Sequence, residues 1–355
     1  MPREEFGTLE NGQVVEAVRL ARPNGLDLRV ITFGAVLQAL HVPDAFGRMA
    51  DVVLGHDDLE SYRLHRQFFG AAIGRFSNRI AGGRFDLDGA TAHIPPNEGL
   101  NALHGGPQGF DQCLWTIEEV SADPVPLIRL SLVSDDGDQG FPGEVQAHVT
   151  YSLTADTELS ITFEATTTRP TVVGLTHHSY FNLGGVETLS SAMSHQVQIE
   201  AAEYLPLGHD LVPEGAPQPV AGTAFDFRTL KAASLDLRRA EPQMRIAQGY
   251  DHCFCLSRER QAQPRLVARL DHPQSGRCLE LLTDQPGLQL YSGNMLTGGV
   301  PGKYNQLYRQ GDAICLEPQA WPDAPNRPDF PSARLDPGQT YRHRSIYRFS
   351  AQMPA

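Results

Sequence analysis

Two histidines stand side by side in the stretch LTHHSYFNL, residues 175–183, where an aromatic pair and an amide follow them. An imidazole titrates at about pH 6.5, so near neutrality it can serve as a general acid or a general base. Adjacent side chains of an extended segment point in opposite directions. If this segment is extended, only one of His177 and His178 reaches a given cleft.

Four further polar clusters stand out, and three of them contain glycine. They are IGRFSNRIAGG (73–83), LHGGPQGFDQ (103–112), GYDHCFCL (249–256) and CLEPQAWPDAPN (315–326). The chain has no GxxxxGK[ST] loop, no HExxH or His-x-His pair and no GxSxG elbow, which argues against a nucleoside triphosphate site and the common metal and serine-nucleophile sites.

The elements that must position these clusters are mostly strands. Apolar and polar residues alternate with period two at 128–132, 145–153 and 159–165, and the turn TADTE predicts that the last two segments form a β-hairpin. CLELLTDQPGLQLYSG (278–293) has the same form, so we predict a second hairpin there. SLDLRRAEPQMRIA (234–247) predicts a turn or a short helix that Pro242 interrupts.

The number of short strands and turn signals predicts an all-β sandwich or barrel. No convincing linker divides the 355 residues, and large all-β folds often exceed the usual domain length of about 150 residues. We therefore expect one domain over residues 1–355.

Composition restricts the partners. The formal net charge of −13 repels phosphate backbones and anionic membrane surfaces, so we expect no nucleic acid or membrane partner and a neutral substrate. The sequence shows neither a secretory signal nor a spanning apolar run. Its five cysteines form no CxxC pair, which favours reduced thiols and a cytoplasmic protein.

The clusters together resemble the aldose 1-epimerase (galactose mutarotase) family. The matching motifs are GRxxNRI, NxLHGGxxGFDxxLW, LTxHSYFNL, GxDHxF, PGxQxYxGN and CLExQxWPDAPN, in this order along the chain. The resemblance implies a large antiparallel β-sandwich (a galactose mutarotase-like supersandwich) with a sugar cleft on a concave face. It also implies no metal and no organic cofactor.

Interconversion of the anomers of a pyranose requires ring opening, rotation about the C1–C2 bond and ring closure. A base must take the proton of the C1 hydroxyl, and an acid must protonate the ring oxygen. By motif position, Glu317 resembles the family's base and His178 its acid. We expect them on opposite sides of a sugar ring, with a nearby carboxylate that raises the pKa of His178.

The resemblance also implies sugar-binding residues. They are Asn78 and Arg79 in the NR pair, His104 in LHGG, Asp251 in GYDH and Gln289 in PGLQLYSGN. His177 falls where the motif is less strict, and we expect it to be structural.

Two other functions remain open from the residues. A glycoside hydrolase would use Asp251 and Glu317 as its carboxylate pair, and a non-enzymatic carbohydrate-binding protein would need no matched acid and base. For the isomerase we expect free aldohexoses such as galactose or glucose as substrate, and a monomer or homodimer. The preferred sugar does not follow from the sequence.

Overall fold

The computed structural model describes residues 3–353. In that range the secondary structure is thirty strands, two short α-helices and seven 3-10 helices. The α-helices are α1 (Leu59–Leu64) and α2 (Pro242–Ala247), and the 3-10 helices are Ala81–Gly83, Phe110–Gln112, Asp138–Gly140, Ala192–Ser194, Ala233–Leu235, Lys303–Asn305 and Ala324–Asn326.

The strands are numbered along the chain. The first fifteen are β1 (Arg3–Thr8), β2 (Val14–Ala21), β3 (Asp27–Ile31), β4 (Leu37–Pro43), β5 (Met49–Asp51), β6 (Ala72–Ile73), β7 (Arg79–Ile80), β8 (Arg84–Leu87), β9 (Ala90–His93), β10 (Ala102–Leu103), β11 (Thr116–Ser121), β12 (Leu127–Ser134), β13 (Val145–Ala155), β14 (Glu158–Thr167) and β15 (Thr171–Val172). The others are β16 (Thr176–His177), β17 (Tyr180–Phe181), β18 (Gln196–Ile199), β19 (Glu203–Tyr204), β20 (Gln218–Pro219), β21 (Lys231–Ala232), β22 (Asp251–Cys255), β23 (Arg265–Asp271), β24 (Arg277–Thr283), β25 (Gly287–Tyr291), β26 (Thr297–Pro301), β27 (Leu307–Arg309), β28 (Ile314–Gln319), β29 (Arg334–Leu335) and β30 (Tyr341–Ala351).

Three large sheets make up the framework. A five-stranded sheet has the order β1-β2-β3-β4-β5, a nine-stranded sheet has the order β11-β12-β13-β14-β30-β24-β23-β18-β21, and a six-stranded sheet has the order β17-β28-β25-β22-β19-β20. The neighbouring strands run antiparallel, as in the pairs β13–β14 and β25–β28. The predicted all-β antiparallel class is confirmed.

The first predicted hairpin is also confirmed. β13 pairs with β14 in antiparallel register, with Val149 opposite Phe163 and Leu153 opposite Leu159. These apolar residues are buried and the alternate positions are more exposed, because successive side chains of a strand point to opposite faces.

The second predicted hairpin is wrong. β24 pairs with β23 and β30 in the nine-stranded sheet, whereas β25 pairs with β22 and β28 in the six-stranded sheet. Every residue of β25 is buried, so this strand requires a partner on each edge and cover on both faces. Local alternation predicts strands but does not tell which sheet each strand joins.

The role predicted for Pro242 is wrong as well. Pro242 is the first residue of α2, where the missing N–H is not needed by the helix and the fixed φ favours helical geometry. The helix ends at Ala247, and the next residue, Gln248, adopts a left-handed conformation with φ of 56°.

The six-stranded sheet has two different faces. Leu288, Leu290 and Leu316 belong to the main hydrophobic core, whereas the alternate positions Gln289 and Glu317 are buried but polar. Gln289 lies directly opposite Glu317 in register, so both side chains project from the face turned away from that core. This polar face forms the floor of a cleft.

Within residues 3–353, no helix has the length and apolar character needed to cross a bilayer.

A buried ion pair joins the five-stranded sheet to the turn after β26. The ammonium group of Lys303 contacts Asp51 and donates to the carbonyl of Gln38 at 2.8 Å. Asp51 also accepts from the backbone N–H of Leu40 at 3.1 Å. Only 2% and 1% of the Lys303 and Asp51 side chains are exposed, so each charge depends on the other for compensation.

We expect Lys303→Met to lower the free energy of unfolding by about 3–5 kcal/mol, because it leaves the Asp51 carboxylate buried without its cation. Urea denaturation measures the change. The double variant Lys303→Met/Asp51→Leu is the control, and it should recover much of the loss because both charges are removed together. A loss below about 1 kcal/mol in the single variant would contradict the role of the pair.

Candidate active site

The floor of the cleft comes from three neighbouring strands. Glu317 on β28 faces Gln289 on β25, which in turn faces Cys253 on β22. Asp251 lies two residues before Cys253 and therefore on the same face. The amide of Gln289 donates to Asp251 Oδ1 at 2.7 Å. Strand register thus brings residues distant in sequence side by side.

The walls come from loops and short strands. Arg79 begins β7 and His104 follows β10, and these two strands pair with each other. His178 lies between β16 and β17 and is held by backbone bonds on both sides, because its N–H donates to the carbonyl of Ala71 and its carbonyl accepts from Gly70. The result is a cleft of about 170 Å³.

The structure brings all seven sequence-predicted site residues into this one cleft. They are Asn78, Arg79, His104, His178, Asp251, Gln289 and Glu317. Sequence reasoning missed nine other lining residues, namely Arg66, Gln67, Phe68, Glu98, Leu103, Tyr180, Tyr291, Met295 and Leu296. Tyr180 is part of the motif LTHHSYFNL and Tyr291 is part of PGLQLYSGN, so these two residues could have been predicted as lining residues from the motifs. For Phe68 and Glu98 the sequence carried no comparable signal.

His177 and His178 point to different places, as the extended segment predicts. His178 lines the cleft. His177 lies on β16 opposite Ala72, and its ring meets Tyr151 in the core with centroids 5.6 Å apart. Its Nδ1 lies 3.2 Å from the hydroxyl of Ser179.

The carboxylate of Glu317 and the imidazole of His178 are in direct contact. Glu317 Oε2 lies 3.5 Å from His178 Nε2. Glu317 Oε2 and His178 Nδ1 are both buried without a hydrogen-bond partner, which is unusual for buried polar atoms and common at functional sites. In the free cleft these two atoms are too close for a sugar ring to lie between them, and the expected placement on opposite sides of a bound sugar stays a prediction. Such a pair suits two oxygens bonded to one carbon.

Burial governs the protonation of this pair. Desolvation raises the pKa of Glu317 well above its usual range, Asp251 adds to the rise and Arg79 opposes it. Desolvation lowers the pKa of His178 to about 3. The expected rise in the pKa of His178 is therefore wrong for the free cleft, because burial removes the hydration of the charged ring. With one proton between them, the neutral pair is favoured before a ligand binds.

Arg79 is held between two carboxylates. Its Nε and Nη2 donate to Glu98 at 2.5 and 2.9 Å, and Nη2 also reaches Asp251 Oδ2 at 3.4 Å. The Arg79 side chain is 6% exposed and that of Glu98 is 31% exposed, so Glu98 lies at the mouth of the cleft. The two donors toward Glu98 fix the plane of the guanidinium.

The tautomer of His104 follows from its backbone partner. The N–H of Asn78 donates to His104 Nδ1 at 3.1 Å, so the neutral ring carries its proton on Nε2. Burial lowers the pKa of His104 well below its usual range, which keeps the ring neutral. Asn78 and His104 both have left-handed backbones, with φ of 63° and 53°, conformations that are uncommon outside glycine and concentrate at functional sites. His104 therefore offers an N–H donor to a ligand.

The same tautomer bears on metal binding. His104, His178 and Glu317 each offer one ligand atom within 4.8 Å of the others, and zinc is bound by such side chains. A metal on His104 Nε2 would require a proton on Nδ1, where the N–H of Asn78 already points. Two donors would then face each other, so this set fits a hydrogen-bonding oxygen better than a cation.

The geometry agrees with what comparison with known proteins finds. Residues 16–348 match the family model described as aldose 1-epimerase. The chain belongs to the aldose 1-epimerase family.

Relatives within the aldose 1-epimerase family match over nearly the whole chain. Galactose mutarotase of Rattus norvegicus is 42% identical over 349 residues, which cover 98% of each chain. Aldose 1-epimerase of Escherichia coli K12 is 38% identical over 344 residues, 96% of this chain and 97% of that one. A solved aldose epimerase homologue from C. elegans superposes with a TM-score of 0.86 at 29% identity, covering 95% of this chain and 99% of the other.

Proposed function

We propose that this protein is an aldose 1-epimerase that interconverts the α and β anomers of a free aldohexose such as galactose or glucose. The observation that carries the proposal is the contact of Glu317 Oε2 with His178 Nε2 at 3.5 Å in a cleft lined by hydrogen-bonding side chains. These are the base and the acid that opening a hemiacetal requires.

In the proposed reaction Glu317 takes the proton of the C1 hydroxyl while His178 donates a proton to the ring oxygen. The bond between C1 and the ring oxygen breaks and leaves an open-chain aldehyde. After rotation about C1–C2, the same steps run backwards on the other face of the carbonyl. A sugar hydroxyl that donates to Glu317 stabilises its ionised form, so substrate binding favours transfer of the pair's single proton to His178.

The other end of the cleft is suited to secondary hydroxyls. Asp251 and Gln289 offer acceptors and His104 offers an N–H donor. The two arginines that line the cleft are both paired, Arg79 with Glu98 and Arg66 with Asp111 at 2.7 Å. A phosphate would need a free cation, so these pairings favour a neutral sugar.

A hydrolase with Asp251 as its general acid is disfavoured by the partners of Asp251. Its Oδ1 accepts from Gln289 and its Oδ2 from Arg79. A carboxyl that acts on a glycosidic oxygen must be free to donate a proton to it. Asp251 is instead arranged as a hydrogen-bond acceptor that anchors a ligand.

The proposal includes a cytoplasmic enzyme whose residues 1–355 work as one domain, as a monomer or homodimer. The residues that line the cleft range from position 66 to position 317 of the chain, which supports one domain.

Polarimetry tests the proposal. Freshly dissolved α-D-glucose or α-D-galactose should reach anomeric equilibrium much faster with the protein than in buffer. Aryl glycosides should release no phenol. Release of phenol would support a hydrolase, and sugar binding without faster equilibration would support a binding protein.

We expect a broad, bell-shaped pH dependence of kcat/KM. The pair is active while it holds one proton. Below the lowered pKa of His178, about 3, a second proton removes the base. Above the raised pKa of Glu317 the single proton is lost and no acid remains. The acid limb should therefore lie below the reference value of about 4.3 for Glu and the alkaline limb well above it, and these apparent values belong to the coupled pair.

Initial rates from polarimetry between about pH 2 and 10 measure this profile, with circular dichroism at each pH as the control for unfolding. An acid limb above the reference value of Glu, or an alkaline limb at that value, would contradict the shifts caused by burial.

A further inference from the structure

The imidazole of His178 stacks on two aromatic rings. Its plane lies 12° from that of Phe68, with centroids 5.8 Å apart, and 11° from that of Tyr180, with centroids 4.9 Å apart. Both separations fall within the range of favourable aromatic stacking. The proposed mechanism uses neither aromatic residue.

Phe68 reaches this place through an uncommon backbone. Its φ is 60°, a left-handed conformation that is a genuine outlier for a bulky residue. The turn that holds it closes with a hydrogen bond from the N–H of Ala71 to the carbonyl of Phe68 at 3.1 Å. The same turn is bonded to the backbone of His178 through Gly70 and Ala71. Strain of this kind persists where the surrounding structure enforces it, and it clusters at functional sites.

The turn therefore ties the backbone of His178 to the ring that stacks on its side chain. A protonated imidazole placed over an aromatic face is attracted by the negative charge of that face, as other cations are. A neutral imidazole gains much less. Two parallel rings also restrict rotation of the imidazole about its Cβ–Cγ bond.

We propose that Phe68 is a positioning residue for the acid His178, whose ring plane it fixes and whose protonated form its aromatic face stabilises, together with Tyr180. The inference rests on the proposed function. The proposal accounts for the strained turn, because the left-handed backbone at Phe68 is what brings its ring over the imidazole of His178.

Other charged and titratable groups also face this stack. Arg66 lies over Phe68, with its guanidinium carbon 4.9 Å from the ring centroid, and it lowers the pKa of the neighbouring His104. The remaining groups around the imidazole are Glu317 at 3.5 Å, His104 with centroids 5.3 Å apart, Tyr291 with centroids 6.4 Å apart, Tyr180 and the adjacent His177. Of these groups, only Glu317 brings a negative charge into direct contact with the imidazole. The aromatic faces of Phe68 and Tyr180 therefore contribute to stabilising the buried, protonated ring of His178.

Phe68→Leu and Phe68→Tyr form a matched pair of variants. Both keep a bulky side chain at the same left-handed position, so both carry the same backbone cost, but only Tyr keeps an aromatic face. We expect kcat for mutarotation to fall about tenfold in Phe68→Leu, which equals about 1.4 kcal/mol and lies within the range for a desolvated cation–π contact. In Phe68→Tyr it should stay within about twofold of the unmodified protein.

The pH dependence of kcat separates this role from simple packing. Its alkaline limb reports loss of the proton from the sugar-bound pair. That limb should move to lower pH in Phe68→Leu and stay in place in Phe68→Tyr. Equal kcat values in the two variants would overturn the proposal, and so would a lower kcat in Phe68→Leu with an unmoved limb.

Two measurements cover the remaining cases. Crystal structures should show the His178 ring turned away from its 11° angle to Tyr180 in Phe68→Leu but not in Phe68→Tyr, and this test does not depend on activity. An unmoved ring in Phe68→Leu would overturn the positioning role. The absence of mutarotation in the unmodified protein would refute the proposed function, which is a separate outcome.

If Phe68→Leu does not fold, stepwise fluorination of Phe68 keeps the shape of the side chain and weakens the negative charge of its aromatic face. In that series kcat should fall with each fluorine. A constant kcat would overturn the role of the aromatic face.

Discussion

Replacement of Glu317 with Gln is expected to lower kcat for mutarotation by about 10²–10⁴-fold, the usual contribution of a positioned proton-transfer group. The amide has nearly the shape of the carboxyl but cannot take the proton of the C1 hydroxyl. Glu317 is the one carboxylate in direct contact with the imidazole of His178 among the residues that line the cleft. Polarimetry with α-D-galactose measures the loss.

Fold and binding should survive this change. Glu317 Oε2 has no hydrogen-bond partner in the free protein, so replacing the carboxyl with an amide breaks no hydrogen bond of this atom. Glu317 is only 2% exposed, and an uncharged group is less costly to bury there than a charged one. The thermal midpoint should not fall, and galactose binding by calorimetry should persist. Glu60→Gln, at an exposed position on α1, is the matched control and should leave kcat unchanged. Glu317→Gln with at least half the normal kcat would refute the role of Glu317 as the base.

Replacement of His178 with Asn should give a loss of similar size, about 10²–10⁴-fold in kcat. The ring is the only imidazole in contact with Glu317 among the lining residues, and Asn cannot protonate the ring oxygen. Because acid and base act in the same step, we expect the double variant Glu317→Gln/His178→Asn to lose little more than either single variant.

The neighbouring His177 provides a matched control for this prediction. His177 is equally buried, but its ring meets Tyr151 in the core. His177→Asn should lower the thermal midpoint through lost core packing, while kcat of the folded protein changes little. If His177→Asn and His178→Asn lost the same share of kcat, the assignment of the acid to His178 would be wrong.

The sequence by itself determined several local elements and named seven of the residues that line the cleft. Period-two alternation is a property of neighbouring residues, so it located β13 and β14 and their hairpin. The same alternation separated His177 from His178, because the side chains of an extended chain face opposite ways. Short motifs named the seven residues that the structure brings into one cleft.

Pairing between strands was decided only by the tertiary structure. β24 and β25 are neighbours in sequence, yet β24 pairs with β23 and β30 whereas β25 pairs with β22 and β28 in a different sheet. In the same way, register with β25 is what places Glu317 beside Gln289. The local residue pattern of a strand does not determine which other strand forms hydrogen bonds with it.

Electrostatics and strain were also beyond the sequence. The directions of the pKa shifts of Glu317 and His178 come from burial, which depends on every element packed around the pair. The tautomer of His104 depends on one backbone N–H of Asn78, and the left-handed turn at Phe68 depends on its bonds to the segment that holds His178. The sequence thus determined which groups are present, whereas the packed structure decided where their protons lie.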